Sequence, residues 1–280
     1  MKRMMKYLHL TILLFISFVC RAQLVYPVAG TYKGKSAQGM AISRDRAFLF
    51  NDGGLCRSFN LKNGQVISDF YIGSASSNNH VNSASFGCEH VNGNIYPVIY
   101  VSECRSPYRC FVENITDSTS QIVQTLIIKR EGTDSIAKDW VVDFKRKRIY
   151  GINNLEIVDQ MTGNRRYNIT AYRLPKICEG NVALTDKDVM DSFDVFFPNV
   201  LQGASIYKNR LYMPVGFQKE LENRLDAKRA VIVINLKKHK IEKTIDLTNI
   251  TDKEPEDMDF YQGRALLYTG QEGGLYEVSL

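Results

Sequence analysis

Between Gln38 and Ile72 four short apolar-alternating runs follow one another: Gln-Gly-Met-Ala-Ile, Arg-Ala-Phe-Leu-Phe, Gly-Leu-Cys-Arg-Ser-Phe-Asn-Leu and Gly-Gln-Val-Ile-Ser-Asp-Phe-Tyr-Ile. Arg44-Asp45, Asn51-Asp52-Gly53-Gly54 and Lys62-Asn63-Gly64 separate them, which predicts a four-stranded antiparallel meander. One such sheet leaves both of its faces uncovered, so the unit must find partners. It finds them in copies of itself. Gln202-Gly203-Ala204-Ser205-Ile206, the turn Lys208-Asn209 and the strand from Leu211 repeat the order that begins at Gln38. Looser copies begin at Asn82, Asp139 and Glu256, each a polar residue, a short apolar strand, a charged or Asn/Gly turn and a second strand.

The five phase markers Gln38, Asn82, Asp139, Gln202 and Glu256 are spaced by 44, 57, 63 and 54 residues. Four strands in a period of about 40 to 55 residues indicate an all-β fold, a β-propeller. Five markers predict five four-stranded blades. Further strands hidden between Arg166 and Ile177 would raise the count to six. After Glu256 the sequence supplies only three strands, and Leu24 to Val28, ahead of the first marker, has no other partner. Pairing the N- and C-terminal strands in one blade removes the open edge at the seam and closes the ring.

The chain opens with Lys2, Arg3 and Lys6, an apolar run from Leu8 to Val19, and Cys20-Arg21-Ala22-Gln23. A basic start followed by about a dozen apolar residues is too short to span a bilayer and has the form of a secretory signal peptide over residues 1–22. A single propeller domain is then expected over 23–280. The location this implies is secreted or periplasmic, with lipid anchoring at Cys20 as the alternative; Phe18 and Val19 are large for that processing. Removing residues 1–22 deletes four basic and no acidic residues and lowers the formal net charge from +6 to +2. That argues against nucleic acid as a partner. The remaining dense basic run, Lys145-Arg146-Lys147-Arg148, falls in an expected hairpin turn and is read as a solvated tip. No transmembrane helix is expected, and the protein is expected to be a monomer.

Of the five cysteines after the leader, Cys104 and Cys110 flank a Ser-Pro turn and invite a short disulfide loop, with Cys88 as another partner and Cys56 and Cys178 unassigned. No Cys-x-x-Cys pair exists to suggest zinc.

Innermost propeller strands line the central axis, so the markers converge at one mouth of the channel. Gln38, His80, Asn82, Asp139, Gln202, Glu256 and Asp257 are therefore the candidate ligand-binding residues. An oxygen-rich ring of this kind suits the hydroxyls of a glycan, or a hard cation such as calcium as the one possible cofactor. It also suits a purely structural role, since buried polar groups must be hydrogen-bonded. Asp257 and Asp259 share one strand face while Glu256 and Met258 share the other. No nucleophile elbow, zincin helix or phosphate-cradling loop is present.

The Gln-Gly strand starts at Gln38 and Gln202, His80-Val81-Asn82, and Glu254-Pro255-Glu256-Asp257 together resemble the inner-strand signatures of secreted bacterial propellers. That group includes glutamine cyclotransferase-like, helveticin-like and NHL-like proteins. The leader ending in Ala-Gln is similar to those of Bacteroidota. The resemblance implies the propeller fold and leaves two functions open. One is a non-enzymatic propeller binding a glycan, small molecule or protein at its channel mouth. The other is a glycan-active or cyclotransferase-like enzyme that uses the carboxylates there.

Overall fold

The structure is a computed structural model that describes residues 22–27, 36–131, 136–159, 161–217, 219, 223–224, 227–270 and 274–280. Its first complete blade is the meander of β2 (Ala37–Ser43), β3 (Arg46–Asn51), β4 (Leu55–Asn60) and β5 (Gln65–Tyr71). The second holds β6 (Ala84–Phe86), β7 (Ile99–Ser102), β8 (Cys110–Ile115) and β9 (Ser120–Ile128). The third holds β10 (Asp139–Asp143), β11 (Arg148–Val158), β12 (Arg165–Arg173) and β14 (Val189–Phe197). The fourth holds β15 (Ser205–Tyr207), β16 (Arg210–Val215), β17 (Ala230–Asn235) and β18 (Lys240–Asp246). The fifth takes β19 (Pro255–Tyr261), β20 (Arg264–Thr269) and β21 (Gly274–Val278) from the end of the chain. Its outermost strand is β1 (Ala22–Tyr26), antiparallel to β21 with Gln23 opposite Glu277.

The count is therefore five, and the ring closes through the two ends of the described chain. Arg166 to Ile177, the stretch that threatened a sixth blade, supplies most of β12 and then leaves the sheet. The excursion between β12 and β14 carries β13 (Val182–Leu184), which pairs parallel with the outer edge of β9. Blade two thus has five strands rather than the expected four, and its neighbour covers an otherwise open edge. Half of the charged stretch Gln218 to Arg229 lies outside the described residues, as does the expected leader up to Arg21.

Five apolar clusters fill the five junctions, one between each pair of neighbouring blades. Phe48, Phe50 and Ile99 join blades one and two, and Trp140, Tyr100 and Tyr172 join two and three. Tyr167, Met213 and Ile232 join three and four, Val231, Met258 and Leu267 join four and five, and Met40, Leu49 and Tyr268 close the ring. Burying each side chain the size of Phe48 contributes about 1.5–3 kcal/mol. Strands covered on both faces by adjacent blades read as unbroken apolar runs, as β17 does, whereas the rim strand β5 is largely exposed.

The Gln-Gly signature has a steric cause. A Cβ on Gly39 would lie 2.8 Å from the Val81 carbonyl oxygen, and one on Gly203 would lie 2.5 Å from that of Glu256. Only a residue without a side chain lets neighbouring inner strands approach this closely near the axis.

The expected Cys104–Cys110 bridge is absent, and Cys56, Cys88, Cys104, Cys110 and Cys178 are all free thiols. Register is the reason. Ser102 pairs with Cys110, and the Glu103 N–H donates to the Arg109 carbonyl at 2.9 Å, so Cys104 has already passed its would-be partner. Cys110 points into the core between blades two and three, while Cys104 faces the central cavity.

Candidate functional site

A cavity of about 540 Å³ opens at the mouth where the inner strands begin. Four of the sequence candidates line it: His80, Asn82, Asp139 and Gln202. Asp139 is the first residue of β10 and is buried. Its Oδ1 accepts hydrogen bonds from Asn82 Nδ2 at 2.8 Å and Ser83 Oγ at 3.1 Å, tying blade three to blade two. Burial pushes its carboxyl up to about 6, against the opposing pull of Asn82, Ser83 and the nearby Lys138 ammonium. A carboxyl poised there exchanges its proton near neutral pH.

His80 stands at the rim, half-buried, with Nδ1 2.9 Å from Asp52 Oδ1 and the Arg105 guanidinium 3.8 Å from the same carboxylate. When the neutral ring donates Nδ1–H to Asp52, its Nε2 is left as an acceptor. Gln202 uses its amide N–H groups on the Gly216 carbonyl at 2.8 Å and on Glu254 Oε1 at 2.6 Å.

The other three candidates are buried beside the axis and do not line this cavity. Asp257 Oδ2 accepts the Met40 N–H at 2.8 Å and its Oδ1 the Met258 N–H at 2.8 Å. Asp259, on the same strand face as expected, accepts the Ile42 N–H at 2.6 Å. Both carboxyls therefore bond the edge of β2, closing blade five onto blade one, rather than facing each other across one cleft as a glycosidase pair would. Glu256 sits at the bulge between Pro255 and Asp257. Gln38 is buried with its Oε1 unbonded among the described residues. No group of three His, Cys, Asp or Glu side chains converges as a metal site among the described residues.

Burial raises Glu256 and Asp257 well above the usual carboxylate range and Asp259 to about 7. A carboxyl that binds its proton more tightly when folded stabilises the protein fully below its unfolded pKa. That contribution is lost as pH climbs through the folded pKa. The protein is expected to be more stable at pH 5 than at pH 8 by on the order of 2 kcal/mol. Denaturant midpoints at the two pH values check this, and Asp259→Asn is expected to reduce the difference.

Several cavity residues had no visible signal in the sequence. Lys138 precedes a marker, but Cys104, Asn154, Arg165, Val200 and Leu201 arrive from strand ends and inter-blade connections that the repeat does not register. Asn154 and Arg165 come together because β11 and β12 pair in the third blade.

No helix among the described residues is long and apolar enough to cross a membrane. No family model and no curated protein sequence matches the chain. Among solved structures the chain is similar to the crystal structure of Myxococcus xanthus glutaminyl cyclase. The two share 14% sequence identity and a TM-score of 0.51 over 92% of this chain and 95% of that one. At that identity the likeness is one of fold, and the molecule is a five-bladed β-propeller built like that of a glutaminyl cyclase.

Proposed function

We propose that the protein is a cyclotransferase-like enzyme acting in the central cavity, with Asp139 as its proton carrier. The observation that carries the reading is the placement of Asp139: buried, lining the cavity, oriented by Asn82 and Ser83, and raised to about 6. Cyclisation of an N-terminal glutaminyl residue needs one such group. The neutral α-amine attacks the side-chain amide carbon, a C–N bond forms, the bond to the amide nitrogen breaks and ammonia leaves. One proton must pass from the attacking to the departing nitrogen, and a carboxylate between them takes it up and returns it. Asn82 fixes the carboxyl, and Lys138 and Arg165 supply positive charge at the cavity wall.

Similarity in fold to a glutaminyl cyclase supports this choice over glycoside hydrolysis, as does the engagement of Asp257 and Asp259 with the β2 backbone. The leader expected over residues 1–22 supports action outside the cytoplasm. A peptide beginning with glutamine is the test substrate. Release of ammonia above the spontaneous rate, with the peptide losing the mass of one ammonia, is the expected result. Saturable binding of that peptide without ammonia release would return the cavity to the ligand-binding reading.

A further inference from the structure

The mouth opposite the Asp139 cavity holds a second hollow, of about 600 Å³, where β2, β10, β15 and β19 end. Its chemistry differs from that of the first. Phe144, Tyr207 and Phe260 line it; the last two rings stack at 4.1 Å, and Phe144 remains 45% exposed. Lys145, Arg146 and Lys208 stand among these rings, with the Lys208 ammonium 5.0 Å from the centre of Tyr207. The run Lys145 to Arg148 lies in the expected hairpin turn, with Lys145, Arg146 and Lys147 exposed; a short 3-10 turn from Phe144 to Arg146 begins it at the edge of this hollow.

Of the two carboxyls in the hollow Asp143 neutralises Arg146, and neither is ion-paired with Lys145 or Lys208 among the described residues. Asp143 is taken up by Arg146, whose guanidinium lies 2.7 Å from it. Asp259 has its oxygens on the N–H groups of Ile42 and Phe260, and burial raises it to about 7. An adjoining hollow of about 400 Å³ shares Arg146 and Asn209 and adds Arg148 and Lys237, together with His239, whose Nε2 lies 2.8 Å from Asp191 Oδ2. Lys208 also holds a backbone φ of 46°, which glycine or asparagine adopts at lower cost. The turn alone does not call for lysine.

We propose that this mouth is a second binding site, for a small organic anion with an aromatic or apolar body. The body packs against Phe144 and the Tyr207–Phe260 stack, and the acidic group meets Lys145 and Lys208. The site is independent of the activity proposed for the Asp139 cavity.

Anilinonaphthalene sulfonate, an aromatic anion that fluoresces in apolar surroundings, is the probe, titrated into the folded protein. Saturable binding at one site is expected. Combining Lys145→Glu with Lys208→Glu is expected to weaken it about tenfold, and Asp139→Asn to leave it unchanged. Lys208→Gly relieves the turn, so it is expected to weaken binding without lowering Tm; this keeps the test intact should the double variant fold poorly. Absence of saturable binding would overturn the proposal. So would equal affinity in the Lys208→Gly variant, or equal affinity for the uncharged anilinonaphthalene.

Discussion

Asp139→Asn is expected to lower the rate of ammonia release from an N-terminal glutaminyl peptide by about 10²–10⁴-fold, the range for loss of one positioned acid-base group. Asparagine keeps the shape of the side chain and an oxygen that still accepts from Asn82 Nδ2 and Ser83 Oγ, so the junction of blades two and three is retained. What disappears is a group that exchanges a proton near pH 6. The pH profile separates this from a structural defect. As a proton acceptor Asp139 must be ionised, so wild-type kcat/KM is expected to rise with pH through about 6, and that limb is expected to vanish in the variant. Denaturant midpoints recorded alongside show whether the fold is kept. Full activity in a folded Asp139→Asn protein would remove Asp139 from the chemistry.

Gly203→Ala is expected to be among the most damaging single substitutions in the chain, although it adds one methyl group. The new carbon would lie 2.5 Å from the Glu256 carbonyl oxygen and 2.6 Å from Asp257 Oδ1. The first is backbone of an inner strand. The second belongs to a buried carboxyl whose oxygens bond the Met40 and Met258 N–H groups. Neither can yield without disturbing the seam of the ring, and overpacking of a rigid site costs about 3 kcal/mol or more. For a chain of this size that lowers Tm by about 10 °C, measured by calorimetry. Gly93→Ala is the control: Gly93 has a φ of +68° but nothing within 4 Å of a Cβ, so only local strain is added. A Gly203→Ala protein as stable as wild type would show that the inner strands are not held as closely as the geometry requires.

The same two positions show how much was legible in the chain. Gln202-Gly203 stood out because it repeats Gln38-Gly39, and the repeat was enough to predict blade count, phase and closure by the terminal strands. The meaning of the glycine was not legible, since it depends on Glu256, 53 residues further along. The candidate site divided for a similar reason. All the markers do start inner strands or stand beside them, but strand phase says only that a residue is near the axis. His80, Asn82, Asp139 and Gln202 turn to the cavity. Asp257 turns instead to the Met40 N–H on the edge of β2, because a buried backbone donor must be satisfied and its carboxyl is the partner within reach. The basic run from Lys145 is the exposed hairpin tip that the sequence predicts; only the assembled ring shows that this tip borders the hollow at the axis.

Local pattern thus determined the architecture: alternation, turn residues and a recurring period are properties of neighbouring positions, and the antiparallel core of each blade follows from one continuous stretch of chain. Contacts between blades were decided in three dimensions. Which polar side chains tie strands together, which face a cavity, and that β13 pairs with β9 are set by residues up to 217 positions apart. Their distances exist only once the ring has closed.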